Sequence, residues 1–337
     1  MNKNIKIIIF AIIIIIAFVG VAFALSGSKN SNDKGKLNIV TTTFSTYDFT
    51  RQIVGDNAKI TYLLGPGTDA HSYEPSAADL AKIQNADVFI YIGGEMETWI
   101  EKVLDSKTLD TSKTEIIKVT DAVETIEEAE VDGAEEHEHD HEDEDEEEHN
   151  EEEQEEHEHE EGAFDEHIWT SPENAIKMME YLNEKFTELD TENKEVYQKN
   201  TDAYVAKIKD VQAKIREIVD NKKRDRLVFG DKMPMQYFLN EYGLTASAAF
   251  DGCSTETEPS AKTITYLVNK VKEENIPVVL YIELSTGKTA KSIADETGTE
   301  AMQIQTLHNI SKTDFEKGET YVSLMEKNLD VLKKALQ

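Results

Sequence analysis

Apolar positions along this chain change period several times. Short β-branched runs, the spacing of strands, alternate with stretches where apolar side chains return every three or four residues, the spacing of helices. In the first half, strands are predicted over 37–44, 59–64, 88–92 and 116–119. Helices are predicted over 48–54, 75–85 and 97–104, with Gly55, Gly65-Pro66-Gly67 and Gly93-Gly94 as stops. Ser171-Pro172-Glu173 then combines a capping hydroxyl, a proline at the first helical position and a first-turn acid. It predicts a helix to about residue 189. Asp190 is placed to cap a longer helix, whose apolar stripe is Tyr197, Tyr204, Ile208, Val211, Ile215 and Ile218. At 1.5 Å per residue, about 28 residues give roughly 40 Å, enough to brace two domains. A second alternation follows, with strands over 227–229, 244–250, 278–282 and 302–307 and helices over 234–242, 260–274, 288–296 and 319–336. Strand–helix alternation of this kind predicts an α/β fold with mostly parallel sheets covered on both faces. The chain thus reads as two similar four-stranded α/β lobes joined by a long helix, without a close sequence repeat between them.

The start of the chain and its single cysteine narrow the setting. Lys3 and Lys6 precede an Ile-rich apolar run over 7–25, and Ala22-Phe23-Ala24 has the form of a cleavage site. A cleaved signal peptide and a retained membrane anchor both fit 1–25. Residues 26–36 read as a tether, and the folded part is expected outside the cytoplasm, membrane-anchored or free. The expected divisions are an N-terminal lobe over 37–170, linker helices over 171–224 and a C-terminal lobe over 225–337. Cys253 is the only cysteine, so an intrachain disulfide and a Cys-rich structural zinc site are excluded. It reads as a small buried residue, with a thiolate ligand as the second option.

Charge is concentrated in one place. Of the 27 residues from Glu135 to Glu161, 19 are Asp or Glu and 6 are His. The tract itself has no apolar residue for a core, and the loop that holds it, 124–162, is expected to be disordered. It accounts for −19 of the net charge of −33. The remainder is still acidic, which disfavours nucleic acid and anionic membrane surfaces. Carboxylates alone would suit hard ions or plain solvation. Interleaved imidazoles suit borderline cations such as zinc, copper and nickel. The tract is read as gathering transition-metal ions for a more selective site elsewhere.

Ligands of open α/β sheets bind beyond the carboxyl ends of the strands. The three histidines outside the tract all fall there. His71 follows the second strand, His167 precedes a helix start, and His308 follows the final strand. A tetrahedral zinc site needs a fourth donor. Asp231, after Leu227-Val228-Phe229-Gly230, and Glu283, after Val279-Leu280-Tyr281-Ile282, are the candidates. Lys232 would neutralise Asp231 in a non-metal reading. Glu283 would equally cap a helix or hydrogen-bond a ligand histidine.

The chain resembles the zinc and manganese substrate-binding proteins of ABC transporters, the ZnuA-like group. The likeness rests on Pro66-Gly67 with His71-Ser72-Tyr73-Glu74-Pro75, Asp79 and Asn85-Ala86-Asp87. It continues through His167-Ile168-Trp169 with Ser171-Pro172, Tyr237-Phe238 with Tyr242-Gly243-Leu244, and Thr257-Glu258-Pro259-Ser260. It closes with Tyr321-Val322-Ser323-Leu324-Met325 and Asn328-Leu329. The resemblance spans nearly all of 37–336, and a His-rich acidic loop is typical of its zinc-specific branch. It implies two Rossmann-like lobes on a rigid linker helix that limits hinge motion, and a monomer that passes metal to the membrane permease of an ABC importer. His71 and His167 fall on the family's first two ligands. The third, His or Glu in the family, falls in Gly230-Asp231-Lys232-Met233-Pro234, which has no His and offers Asp231 slightly out of register. The fourth, usually Asp, falls on His308. Three imidazoles and one carboxylate favour Zn²⁺ over Mn²⁺.

Other readings stay open at this level: an Mn²⁺-binding member of the same group, a surface metal buffer or adhesin using the tract alone, or a zinc hydrolase. The hydrolase has least support, since the sequence lacks His-Glu-x-x-His and Gly-x-Ser-x-Gly.

Overall fold

Thr43 decides where the first helix begins. Its Oγ1 accepts the Thr46 N–H while the Thr46 hydroxyl accepts the Thr43 N–H, a reciprocal cap that turns Phe44 into the first helical residue rather than the last of a strand. The computed structural model describes residues 35–105, 112–129, 131–133, 164–254 and 258–337. The apolar start, most of the tether and the acidic tract lie outside the described residues.

Two parallel four-stranded sheets organise Leu37–Gln337. The first contains β1 (Leu37–Thr41), β2 (Ala58–Tyr62), β3 (Val88–Tyr91) and β4 (Glu115–Lys118), in the order β2-β1-β3-β4. The second contains β5 (Arg226–Met233), β6 (Thr245–Asp251), β7 (Val278–Ile282) and β8 (Glu300–Ile304), in the order β6-β5-β7-β8. Each pairing is parallel, as the strand–helix alternation predicts. β5 runs past its predicted end with a register shift between Phe229 and Lys232. β8 stops at Ile304, short of its predicted end. Asn328 Oδ1 and Glu283 take the Gln305 and Thr306 N–H groups that would continue the ladder.

The first lobe carries helices α1 (Phe44–Val54), α2 (Ala77–Gln84) and α3 (Thr98–Asp105). Between the lobes come α4 (Pro172–Leu189) and α5 (Lys194–Asp220). The second lobe adds α6 (Gln236–Tyr242), α7 (Ala261–Glu273), α8 (Lys288–Thr297), α9 (Lys312–Glu316) and α10 (Tyr321–Leu336). Asp190 is the last-turn cap of α4 rather than the cap of α5. A short turn over Thr191–Asn193 separates the two helices, and the Asp190 carboxylate accepts from Tyr197 OH and Asn193 Nδ2.

The 27-residue helix α5 spans roughly 40 Å at 1.5 Å per residue and ties the lobes through a buried acid. Asp48, fully buried on α1, accepts from Arg51 Nε at 2.6 Å, Tyr204 OH of α5 at 2.6 Å and the Tyr321 N–H of α10 at 2.8 Å. Phe49 packs on Tyr321 with ring centroids 5.0 Å apart. One continuous core joins Phe49, Trp169, Phe186, Tyr197, Phe229, Phe238 and Tyr321. A wide hinge opening would expose those aromatics, at about 25 cal/mol for each Å². Small loop movements do not. No described helix is long and apolar enough to cross a membrane.

Candidate metal centre

Three loops from distant parts of the chain bring His71, His167 and His308 together. Their ring centroids lie 5.9 Å (His71–His167), 4.8 Å (His71–His308) and 5.2 Å (His167–His308) apart. The Nε2 atom of each ring is buried and has no hydrogen-bond partner. Buried polar atoms are rarely left so, and three together mark a site for a ligand.

Each imidazole is held by its own loop. The His71 loop follows β2 and its turn, where the His71 N–H donates to Asp69 Oδ1. It is pinned to the His308 loop of the other lobe, since Tyr62 OH donates to Asn309 Oδ1 at 2.7 Å and the Gly67 N–H donates to Ile310 O at 2.8 Å. His167 sits just before a short turn, Ile168–Thr170. Asp165 Oδ1 accepts both its backbone N–H and its Nδ1–H, each at 2.8 Å. That bond fixes the tautomer and leaves Nε2 as the lone-pair atom. Beyond it, Trp169 Nε1 donates to Thr306 O, stitching the His167 and His308 loops together.

His308 follows Leu307, whose φ of +60° is a strained conformation for a branched side chain. Glu283, at the end of β7, holds that loop. Its carboxylate accepts the Thr306 N–H at 2.7 Å, Thr306 Oγ1–H at 2.8 Å, the His308 N–H at 3.0 Å and the Asn309 N–H at 3.5 Å. Burial pushes its carboxyl up, and the Thr306 donors pull it back in part.

Glu283 and Asp231 were both candidates for the fourth donor, and the structure gives neither of them a place in the cluster. Glu283 is spent on backbone donors. Asp231 Oδ1 accepts from its neighbour's N–H, Lys232 N, at 2.9 Å, and Oδ2 from Ile282 N at 3.4 Å. It lines a separate cavity of about 420 Å³ with Gly230, Phe250, Glu258, Ser285 and Lys288.

Two other donors stand beside the imidazoles. Donor atoms of His71, His167, Glu166 and Cys253 all lie within 4.8 Å of one another, while His308 stands outside that group and adjoins it through the ring distances to His71 and His167. Zinc bonds of about 2.0–2.3 Å put tetrahedral donors roughly 3.5 Å apart, so closure needs shifts on the order of 1 Å. Glu166 is fully buried; its Oε1 accepts from Met96 N and from the Cys253 thiol, and Oε2 is unpartnered. Gly94 lets it approach. A Cβ there would lie 2.6 Å from the Glu166 Cβ, and its φ of +89° suits glycine. Glu97 holds that glycine turn by accepting the Ile92 and Gly93 N–H groups, each at 2.8 Å. In the sequence, acid-rich surroundings give Glu166 no distinction. Its adjacency to His167 was the available signal.

The electrostatics suit a cation. Burial brings His71 down to about 4, helped by the neighbouring His167. Burial, then the other imidazoles and Lys232, hold His308 well below the usual range. Burial also pulls His167 down, but Asp165, with Glu166 and Glu128, outweighs it and the net shift is upward. Burial and the Glu166 and Glu128 carboxylates push the Cys253 thiol up, so without a cation it stays protonated. At neutral pH His71 and His308 present free lone pairs beside a buried carboxylate.

Residues 39–335 match the family described as ZnuA, zinc-uptake complex component A periplasmic. The zinc-binding lipoprotein AdcA of Streptococcus pneumoniae is 35% identical over 316 residues, covering 92% of this chain and 58% of the relative. This chain therefore spans little more than half the length of that protein. The high-affinity zinc uptake system protein ZnuA of Bacillus subtilis is 34% identical over 313 residues, covering 92% of both. Among solved structures, the Zn(II)-bound ZnuA-like domain of S. pneumoniae AdcA superposes with a TM-score of 0.71 at 33% identity, covering 90% of this chain and 99% of that one. The metal-dependent lipoprotein YcdH of B. subtilis gives a TM-score of 0.72 at 29% identity, covering 90% and 100%. Matched in sequence from residue 39 to 335 and in the arrangement of its two sheets, the chain belongs to the ZnuA family.

Proposed function

We propose that this protein captures Zn²⁺ outside the cytoplasm and delivers it to the membrane permease of an ABC importer. The observation that carries the reading is three imidazoles from loops of both lobes, with ring centroids 4.8–5.9 Å apart and partnerless Nε2 atoms, two of them grouped with Glu166 and Cys253. Neutral nitrogen donors favour Zn²⁺ over Mn²⁺, which prefers oxygen. His71, His167 and His308 hold the ion, and a donor from the Glu166–Cys253 pair completes the shell. Glu283 acts by aiming the His308 loop. A shell of protein donors leaves no open position for a catalytic water, which supports carriage over hydrolysis. Zinc-bound relatives support the same cargo, and the lipoprotein relatives support an exported location. The continuous core and α5 restrict release to loop and small lobe movements.

Zinc titration calorimetry on the full chain and on a chain lacking 135–161 tests the reading. One tight site should survive the deletion while the weak sites disappear. Loss of all binding on deletion would make the protein a surface buffer working through the tract. Tighter binding of Mn²⁺ than of Zn²⁺ at the surviving site would overturn the cargo.

A further inference from the structure

The geometry points to Cys253 as a thiolate donor to the bound ion, beside His71, His167 and Glu166. This rests on the reading of the cleft as the Zn²⁺ site and adds the chemistry of its fourth donor.

Position comes first. Cys253 lies in the loop after β6, and its Sγ belongs to the close group with His71, His167 and Glu166. The loop is pressed onto the imidazole, since a Cβ at Gly252 would lie 3.5 Å from His167 Cε1 and 3.1 Å from Pro234 Cα. The Cys253 N–H donates to Glu128, and its thiol donates to Glu166 Oε1 at 3.3 Å. The unpartnered Nε2 of His167 and Oε2 of Glu166, both on almost fully buried side chains, belong to the same cluster.

Charge explains why the thiol needs the ion. Lys232 acts on His71 and His308, while the Asp165, Glu166 and Glu128 carboxylates act on His167, and burial with Glu166 and Glu128 keeps the Cys253 thiol protonated in the absence of a cation. A bound cation deprotonates a coordinating thiol outright. The Sγ–H proton leaves to solvent as the sulfur–metal bond forms, and no oxidation is involved. Sulfur also shifts preference toward zinc and softer divalent ions such as cadmium, and further from manganese.

The test loads the full, reduced chain with one equivalent of Co²⁺, which absorbs where Zn²⁺ is silent. The expected spectrum has the visible bands of a four-coordinate ion and a near-ultraviolet sulfur-to-cobalt charge-transfer band. Because the chain has a single cysteine, and none in the acidic tract, that band has one source. Cys253→Ser should abolish the ultraviolet band, keep the visible bands and reduce the preference for Cd²⁺ over Zn²⁺ by about tenfold. If Cys253 only buttressed the ligands, its loss would weaken affinity by about 10–100-fold without any sulfur band in the parent protein. Visible bands without the ultraviolet band therefore overturn the thiolate and leave the imidazole site standing. Absence of both from the wild-type spectrum overturns the imidazole reading as well.

Discussion

Glu283→Gln tests the part played by a carboxylate whose hydrogen bonds all go to the His308 loop. In the wild type, Oε2 accepts one donor and Oε1 accepts three, all from Thr306–Asn309. Glutamine retains one oxygen but sets an NH₂ group against a backbone N–H, as with Thr306 N at 2.7 Å. One charge-assisted bond is lost, worth roughly 1.5–3 kcal/mol, and a buried donor is left unpaired, costing roughly 1–3 kcal/mol. These effects overlap, so the expected loss is about 3 kcal/mol, or a fall in Tm of roughly 5 °C. The same change releases the loop in which Leu307 is held at φ +60°, so His308 loses its aim. Zinc affinity should fall by about 10–100-fold, as for other groups that orient a ligand. Thermal unfolding of metal-free protein measures the first effect, and chelator-competition titration measures the second. Lower stability with wild-type zinc affinity would refute the link from Glu283 to His308. An affinity loss larger than that of His308→Ala would instead make Glu283 a ligand.

Three further outcomes are expected. With His71 brought down to about 4 and His308 well below its usual range, His167 is the imidazole that protons reach first. Above the raised pKa of His167, zinc affinity should be flat with respect to this group; below it, His167 adds one proton to those that capture must displace, steepening the fall by about tenfold per pH unit until His71 joins near its own value. Calorimetric titration in a pH series checks the slope, and a three-proton slope near pH 6.5 would contradict the burial of His71 and His308. Asp48→Ala leaves the Arg51 guanidinium, Tyr204 OH and Tyr321 N–H without their shared acceptor, and should cost about 3–5 kcal/mol. Denaturant unfolding would show it, with zinc stoichiometry unchanged. Gly94→Ala forces a Cβ into contact with Glu166 at a backbone angle that suits glycine. It should cost about 1–3 kcal/mol by the same assay and weaken zinc binding, whereas unchanged affinity would remove Glu166 from the site.

Much of the fold was readable because local patterns and tertiary context agree. The 278–282 strand and the 172–189 helix have the predicted bounds, since an unbroken apolar run in one and a Ser-Pro-Glu start in the other leave little for packing to decide. The discrepancies sit where side chains compete for backbone groups. Thr43 captures Phe44 for a helix, and Glu283 with Asn328 takes the last rungs from β8. Topology alone placed His71, His167 and His308 at strand ends or a helix start. Their spacing then followed from pairing across lobes that no sequence pattern describes, such as Tyr62 with Asn309 and Trp169 with Thr306.

The amino-acid order by itself determined the α/β alternation, the bracing helix and the three histidines set aside from the acidic tract, because each depends on neighbours within a few turns of chain. It also carried the family motifs. Only tertiary structure decided which carboxylate faces the imidazoles. Asp231, Glu283 and Glu166 are all acids, but the first accepts from Lys232 and from Ile282 of β7, the second holds the His308 segment, and the third carries an unpartnered oxygen within the cluster. Donor identity depends on where a buried oxygen finds its hydrogen-bond partners, and those partners come from residues far away in the chain.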